Sequence, residues 1–136
     1  MCFIVELKHS DHFIAKKDIV CYKILNEFCR HEWIDDEPKT VFKIVSPFKG
    51  FTYELNNLYK LFSPLMEINN GFSEHTIQEG FHSYTKLRIA KNITHSNCES
   101  VFKCIIPKGS EYYVNDLYNE YVSNQIIIKE KIRICA

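Results

Sequence analysis

Gln125-Ile126-Ile127-Ile128-Lys129-Glu130-Lys131-Ile132-Arg133-Ile134 reads at period two. Ile126, Ile128, Glu130, Ile132 and Ile134 fall in one register, and Ile127, Lys129, Lys131 and Arg133 in the other. One apolar set against one largely basic set predicts a half-buried strand. Upstream, Val101-Phe102-Lys103-Cys104-Ile105-Ile106 is a second β-branched run, and Pro107-Lys108-Gly109-Ser110 ends it. A strand does not continue through that tetrapeptide, because proline lacks the amide donor and glycine admits positive φ. Two strands joined by a punctuated link therefore anchor the last third of the chain.

Working outward, Cys2–Leu7 is apolar enough for a strand, and the polar residues His9-Ser10-Asp11-His12 are expected to break it. Ile19–Leu25 is a stronger strand, rich in β-branched and aromatic residues. Between Asn26 and Lys39, the residues Glu27, Phe28, Trp33 and Ile34 suggest a short helix that ends in the acidic turn Asp35-Asp36-Glu37-Pro38. Thr40–Ser46 reads as a strand closed by Pro47, with Phe51–Leu55 as its hairpin partner and Asn56-Asn57 as the next turn. From Leu58 to Gly71, the bulky residues Leu61, Phe62, Leu65, Met66 and Ile68 predict burial, while Pro64 forbids a long helix. A short amphipathic helix follows over Lys86–Ile93, with Thr85 as its cap and Leu87, Ala90 and Ile93 on one face. The resulting expectation is an α+β chain: residues 1–136 as one compact β-rich domain, mostly antiparallel, with one or two short helices.

Composition bounds the function classes. With 136 residues, 46% hydrophobic and 14% aromatic, the chain has the size and apolar content for one core without external staples. Seventeen basic residues balance seventeen acidic ones, so no global field draws nucleic acid or an anionic membrane surface. The first residues lack the pattern of a signal peptide and no run reaches 18 apolar residues, which predicts a cytoplasmic protein without a membrane partner. Six cysteines in that setting act as small hydrophobes; none is spaced Cys-x-x-Cys, so no metal site is expected.

Several residues carry chemical potential. Glu130 interrupts an isoleucine face, where an unpaired carboxylate raises its own pKa or finds a partner such as Lys23 or Arg88; otherwise the strand leaves the core at that point. His82 follows Gly80-Phe81, and Ser83, Tyr84 and Thr85 bring three hydroxyls to a helix start, a place that favours anions such as phosphate or equally a plain capped helix. Tyr112, Tyr113, Tyr118 and Tyr121 make a tyrosine-rich loop that suits a partner-binding surface or packing against a sheet.

Two resemblances rest on these residues. Gly80-Phe81-His82, the run Cys104-Ile105-Ile106-Pro107-Lys108-Gly109-Ser110-Glu111-Tyr112-Tyr113, and Glu120-Tyr121-Val122-Ser123 resemble a set of small proteins carried by bacteriophages and prophages, notably of gut Bacteroidales. That resemblance implies no activity. The order of parts is also similar to that of the ADP-ribosyltransferase fold. In that family an aromatic-Arg pair lies on an early strand, a Ser-Thr-Ser strand leads into a helix, and an Ile-Pro-x-Gly-Ser segment precedes a Glu-x-Glu before the last strand. Tyr22-Lys23, Ser83-Tyr84-Thr85, Ile106–Ser110 and Ser123-Asn124-Gln125 stand in those places. Lys23 replaces the cofactor-gripping arginine, and Gln125 replaces the catalytic glutamate, whose negative charge a glutamine cannot supply.

Three functions are thus open. The first is a phage-encoded binding protein that engages a host or defence component through its tyrosines, without catalysis or cofactor. The second is an NAD or nucleotide enzyme using Tyr22, Lys23, His82, Ser83 and Thr85 around the ligand, with Gln125 or Glu130 as catalytic candidates. The third is a virion component.

Overall fold

The computed structural model describes residues 3–5, 10–46, 52–62, 64–65, 68–69, 75–77, 79–93 and 99–132. Their strands in chain order are β1 (Phe3–Val5), β2 (Ser10–Ile14), β3 (Ile19–Ile34), β4 (Glu37–Val45), β5 (Thr52–Tyr53), β6 (Leu58–Lys60), β7 (Ile68–Asn69) and β8 (His75–Ile77). After these come β9 (Phe81–Tyr84), helix α1 (Leu87–Ile93), β10 (Glu99–Ile106), β11 (Glu111–Asn115), β12 (Glu120–Ser123) and β13 (Gln125–Lys131). The main sheet runs β2-β11-β12-β9-β3-β10-β13-β6, with β4 on β3 and β5 on β4, and a small sheet runs β1-β8-β7. Every pairing recorded is antiparallel. One seven-residue helix among the described residues makes the protein β-rich, with the helical share of an α+β fold confined to α1.

The main sheet has to curl. β12 and β13 are separated in the chain by Asn124 alone, yet they lie four positions apart in the sheet. In a flat sheet four spacings amount to roughly 19 Å, whereas two residues of extended chain reach about 7 Å. Asn124 anchors this jump: its amide donates to Glu111 O (3.0 Å), its Oδ1 accepts from Glu111 N (2.9 Å), and its carbonyl accepts from Leu61 N (2.9 Å). Inside the curl sits the main core, where Cys21, Leu25, Phe102, Cys104, Ile126 and Ile128 pack beneath Tyr53.

The terminal strand keeps its expected alternation only as far as Ile128. Ile126 and Ile128 are fully buried, but Cys104 faces Ile128 while Lys103 faces Glu130, so Lys129 is a bulged residue. A bulge flips the faces beyond it. Glu130 accordingly leaves the core and is exposed opposite Lys103.

Several local expectations are corrected. The Asn26–Lys39 region is not helical: β3 runs on to Ile34, and β4 returns alongside it from Glu37. Asp35 (φ 54°) and Asp36 (φ 63°) form a two-residue turn of the kind that matches strand twist, a conformation aspartate tolerates better than most side chains. Ser10, Asp11 and His12 belong to β2 and pair with β11. The tyrosine-rich segment is the β11–β12 hairpin and not a loop. Phe62 and Leu58 are exposed, although Leu65 is buried and Leu61 packs on the core as expected; Met66 lies outside the described residues. Lys86 rather than Thr85 holds the cap position of α1, since its carbonyl accepts from Ala90 N.

α1 packs against β3, β9 and β10 through the buried Ala90. On the other side of β12, Val122 meets Ile77 and Leu65 in a second small core. Gly80 (φ 151°) is required there: a Cβ would stand 2.5 Å from Val122 Cγ2. No helix among the described residues is long and apolar enough to cross a membrane.

Candidate functional site

β3 and β9 are joined by one residue pair, Tyr22 opposite Tyr84. Alternation from that pair puts Cys21, Lys23 and Ser83 on the inner face and Tyr22, His82 and Tyr84 on the outer face. Lys23 and Ser83 therefore meet on the inner face, while Tyr22 and the His82 side chain are turned away from them. Thr85 ends the strand, half-buried, with its amide donating to Asn119 O at 2.9 Å. Gln125 is tied to the same neighbourhood by its backbone: Ser123 Oγ donates to Gln125 O at 2.9 Å and lies 3.5 Å from Phe81 O. Glu130, past the bulge, is remote from this face.

Lys23 is 8% exposed, an unusual place for an ammonium. Its Nζ donates to His82 O at 2.6 Å and stands 5.8 Å from the centre of the Tyr53 ring. Burial pulls its pKa below that of an ordinary lysine, and the nearby Cys104 and Cys21 thiols partly offset that pull. Tyr53 is itself buried, edge-on to Tyr59 at 5.1 Å, and its phenol is pushed well up by desolvation. Tyr59 in turn accepts from Glu54 N at 2.6 Å. The inner face at Lys23 is thus roofed by β5 and β6, and the amine is satisfied from within the fold.

Under that roof Cys21 and Cys104 lie directly opposite each other on β3 and β10, both free and both buried. Cys104, Ser83 and the Lys23 charge together outweigh burial to lower the Cys21 thiol, while the Cys104 thiol donates to Phe102 O at 3.5 Å. Burial pushes the Cys104 thiol up. The Ser83 hydroxyl, buried on the same face as Cys21, has no hydrogen-bond partner. This thiol pair is a register property: nothing in the local sequence around either cysteine points to the other.

The four tyrosines divide between faces. Tyr112 packs edge-on to Tyr121 at 5.8 Å and against Phe13 at 5.6 Å, an aromatic row across three strands on the inner side. Tyr113 points the opposite way, 4.6 Å from the His12 ring, and packs on the second small core. Tyr118 stands exposed at the hairpin turn beside Leu117, where Asn115 Oδ1 accepts from both Leu117 N (2.9 Å) and Tyr118 N (3.3 Å). Phe13 and Ile14 add exposed apolar surface on β2, the end strand of the sheet order.

Farther out, the β3–β4 hairpin carries Trp33, 77% exposed, with Glu32, Asp35, Asp36 and Glu37 around it. Among the described residues no cluster of histidine, cysteine, aspartate or glutamate is arranged to hold a metal. Compared with protein-family models, with curated proteins and with solved structures, the chain matches none.

Proposed function

We propose that this chain is a binding protein without turnover, which engages a host or defence-system protein through the exposed end of its main sheet. The observation that carries this reading is Lys23. The residue placed to grip a cofactor instead spends its amine on His82 O and the Tyr53 ring, beneath a roof of buried tyrosine. Gln125 lacks the charge a transferase needs and, one residue before the buried Ile126, falls in the outward register of β13, turned away from the face that holds Lys23, and Glu130, the other carboxylate candidate, faces solvent beyond the bulge. The binding surface we assign follows β2 and β11, with the exposed Phe13 and Ile14 at one end, Phe13 beside Tyr112, and the exposed Leu117 and Tyr118 in the β11–β12 turn at the other. Aromatic groups of this kind, together with a strand that pairs on one edge only among the described residues, suit recognition by strand addition. Tyr113 serves the fold.

One observation favours a second reading: Lys23 and Ser83 lie side by side on the inner face, as a nucleotide site of the ADP-ribosyltransferase type requires. A single experiment separates the two. Tagged protein is used to capture partners from host lysate with NAD added, and the intact mass of each captured protein is measured. The binding reading expects a stoichiometric partner of unchanged mass that is lost with the exposed double substitution Phe13→Ser/Tyr118→Ser. A partner carrying an added ADP-ribose, lost with Gln125→Ala or Glu130→Ala, would overturn it.

A further inference from the structure

We propose that Cys21 and Cys104 form a reversible dithiol–disulfide switch at the centre of the sheet, closed by a small peroxide and opened by a low-molecular-weight thiol. Residues directly opposite on antiparallel strands have Cα atoms about 4.5–5.5 Å apart, inside the range a disulfide spans. Cys21 and Cys104 are such a pair, on adjacent strands of the main sheet with both side chains in the same core. No strand has to shift to bring them together.

Their surroundings also assign the order of events. Cys21 has the Lys23 ammonium, the Ser83 hydroxyl and the Cys104 thiol facing it, three groups that favour its thiolate. Cys104 feels the same Lys23 charge, but burial dominates there and keeps its thiol protonated, donating to Phe102 O at 3.5 Å. Cys21 is therefore the attacking sulfur. It takes one oxygen of hydrogen peroxide, the O–O bond breaks, and hydroxide leaves and collects the proton given up by the Cys21 thiol, so that water is released and Cys21 becomes a sulfenic acid. The Cys104 sulfur then attacks the Cys21 sulfur, the S–O bond breaks, and a second water carries off the Cys104 proton. Two thiols and one peroxide yield one disulfide and two waters. Two equivalents of an external thiol reverse the bond, and leave as their own disulfide.

Both sulfurs are fully buried, so a water-sized oxidant reaches them through local opening and closure is slow compared with an exposed thiol. Once formed, the bond staples β3 to β10 across a long loop of chain.

The test uses the full chain with Cys2, Cys29, Cys98 and Cys135 changed to serine, leaving Cys21 and Cys104. It is treated with hydrogen peroxide and then with dithiothreitol. The expected result is a loss of about 2 Da, with Cys21 and Cys104 recovered in one cross-linked peptide. The thermal midpoint should rise by roughly 10 °C, and both changes should revert on reduction. Adding Cys21→Ala to the same background should abolish the mass loss. If both thiols stay free, as read by alkylation after unfolding, the proposal fails. A disulfide that lowers the thermal midpoint also overturns it, because such a bond would form only by forcing the strands out of their native register.

Discussion

β3 is one strand with two different lives. Over its first half, Ile19 to Asn26, it lies beside β10, and Cys21, Lys23 and Leu25 are buried in strict alternation. Over its second half, up to Ile34, its recorded partner is β4, and Glu32 to Ile34 are half-buried or exposed, with Trp33 the most open of them. Backbone pairing is continuous through both halves, so ladder hydrogen bonds alone do not separate them. What differs is the layer above. The first half is roofed by Tyr53 and its neighbours, whereas at Glu32 to Ile34 the side chains meet water. Burial of side chains, more than pairing of backbone, decides where stability and chemistry reside.

The junction between the halves is marked by charge. Glu27 accepts from Ser100 Oγ at 3.0 Å and from Lys131 Nζ at 2.7 Å, which links β3, β10 and β13 at the edge of the core. The ion pair is well exposed and contributes little by itself. Its position, two residues past the fully buried Leu25, is where the inner face passes from apolar to polar.

The contrast is sharpened first by Phe102→Ala, which empties the core opposite Lys23. It should destabilise the protein by about 3–5 kcal/mol in denaturant unfolding. Asn115→Ala should remove about 1–3 kcal/mol, since two turn amides lose a buried acceptor and the β11–β12 hairpin loses its closing contacts.

Lys23→Met acts in the opposite direction and more weakly. The folded-state pKa of Lys23 lies below the ordinary lysine value of 10.5, so at pH values between the two the unfolded chain binds more protons than the folded chain. Wild-type stability attributable to this group therefore rises with pH across that window, and the full burial penalty stands below it. Lys23→Met should be the more stable protein near neutral pH, and its advantage should shrink as pH approaches 10.5. Unfolding curves at neutral and alkaline pH measure this directly; an advantage that grows with pH contradicts the assignment. Smallest of all, Trp33→Ala in the exposed half should shift stability by no more than about 0.5 kcal/mol.

The two halves also explain which parts of the fold are legible in the sequence. Ile126 and Ile128, or Cys21, Lys23 and Leu25, announce a strand because one face is buried and the pattern records it. Trp33 and Ile34 have no such buried face, so Glu27, Phe28, Trp33 and Ile34 fit a helical spacing as readily as any other. Asp35-Asp36 is readable as a turn, but not as the tight reversal of a strand pair, because its two positive φ values are set by the strands on either side. At Glu130 the alternation is interrupted by a single bulged residue, and a bulge depends on the partner strand as much as on its own sequence. For the candidate site, Lys23 and Ser83 stand out from the chain, whereas the Cys21–Cys104 pair and the roof of Tyr53 over Lys23 arise only when distant segments come together.

Hydrogen exchange read by mass spectrometry, with and without saturating NAD, decides whether Lys23 and its neighbours are consumed by the core, with the exposed parts of the chain left for recognition. The account predicts slow exchange over Ile19–Asn26 that NAD leaves unchanged, and faster exchange over Glu32–Ile34. Protection by NAD at β3 and β9 would contradict it and place a nucleotide where the account places a sealed interior.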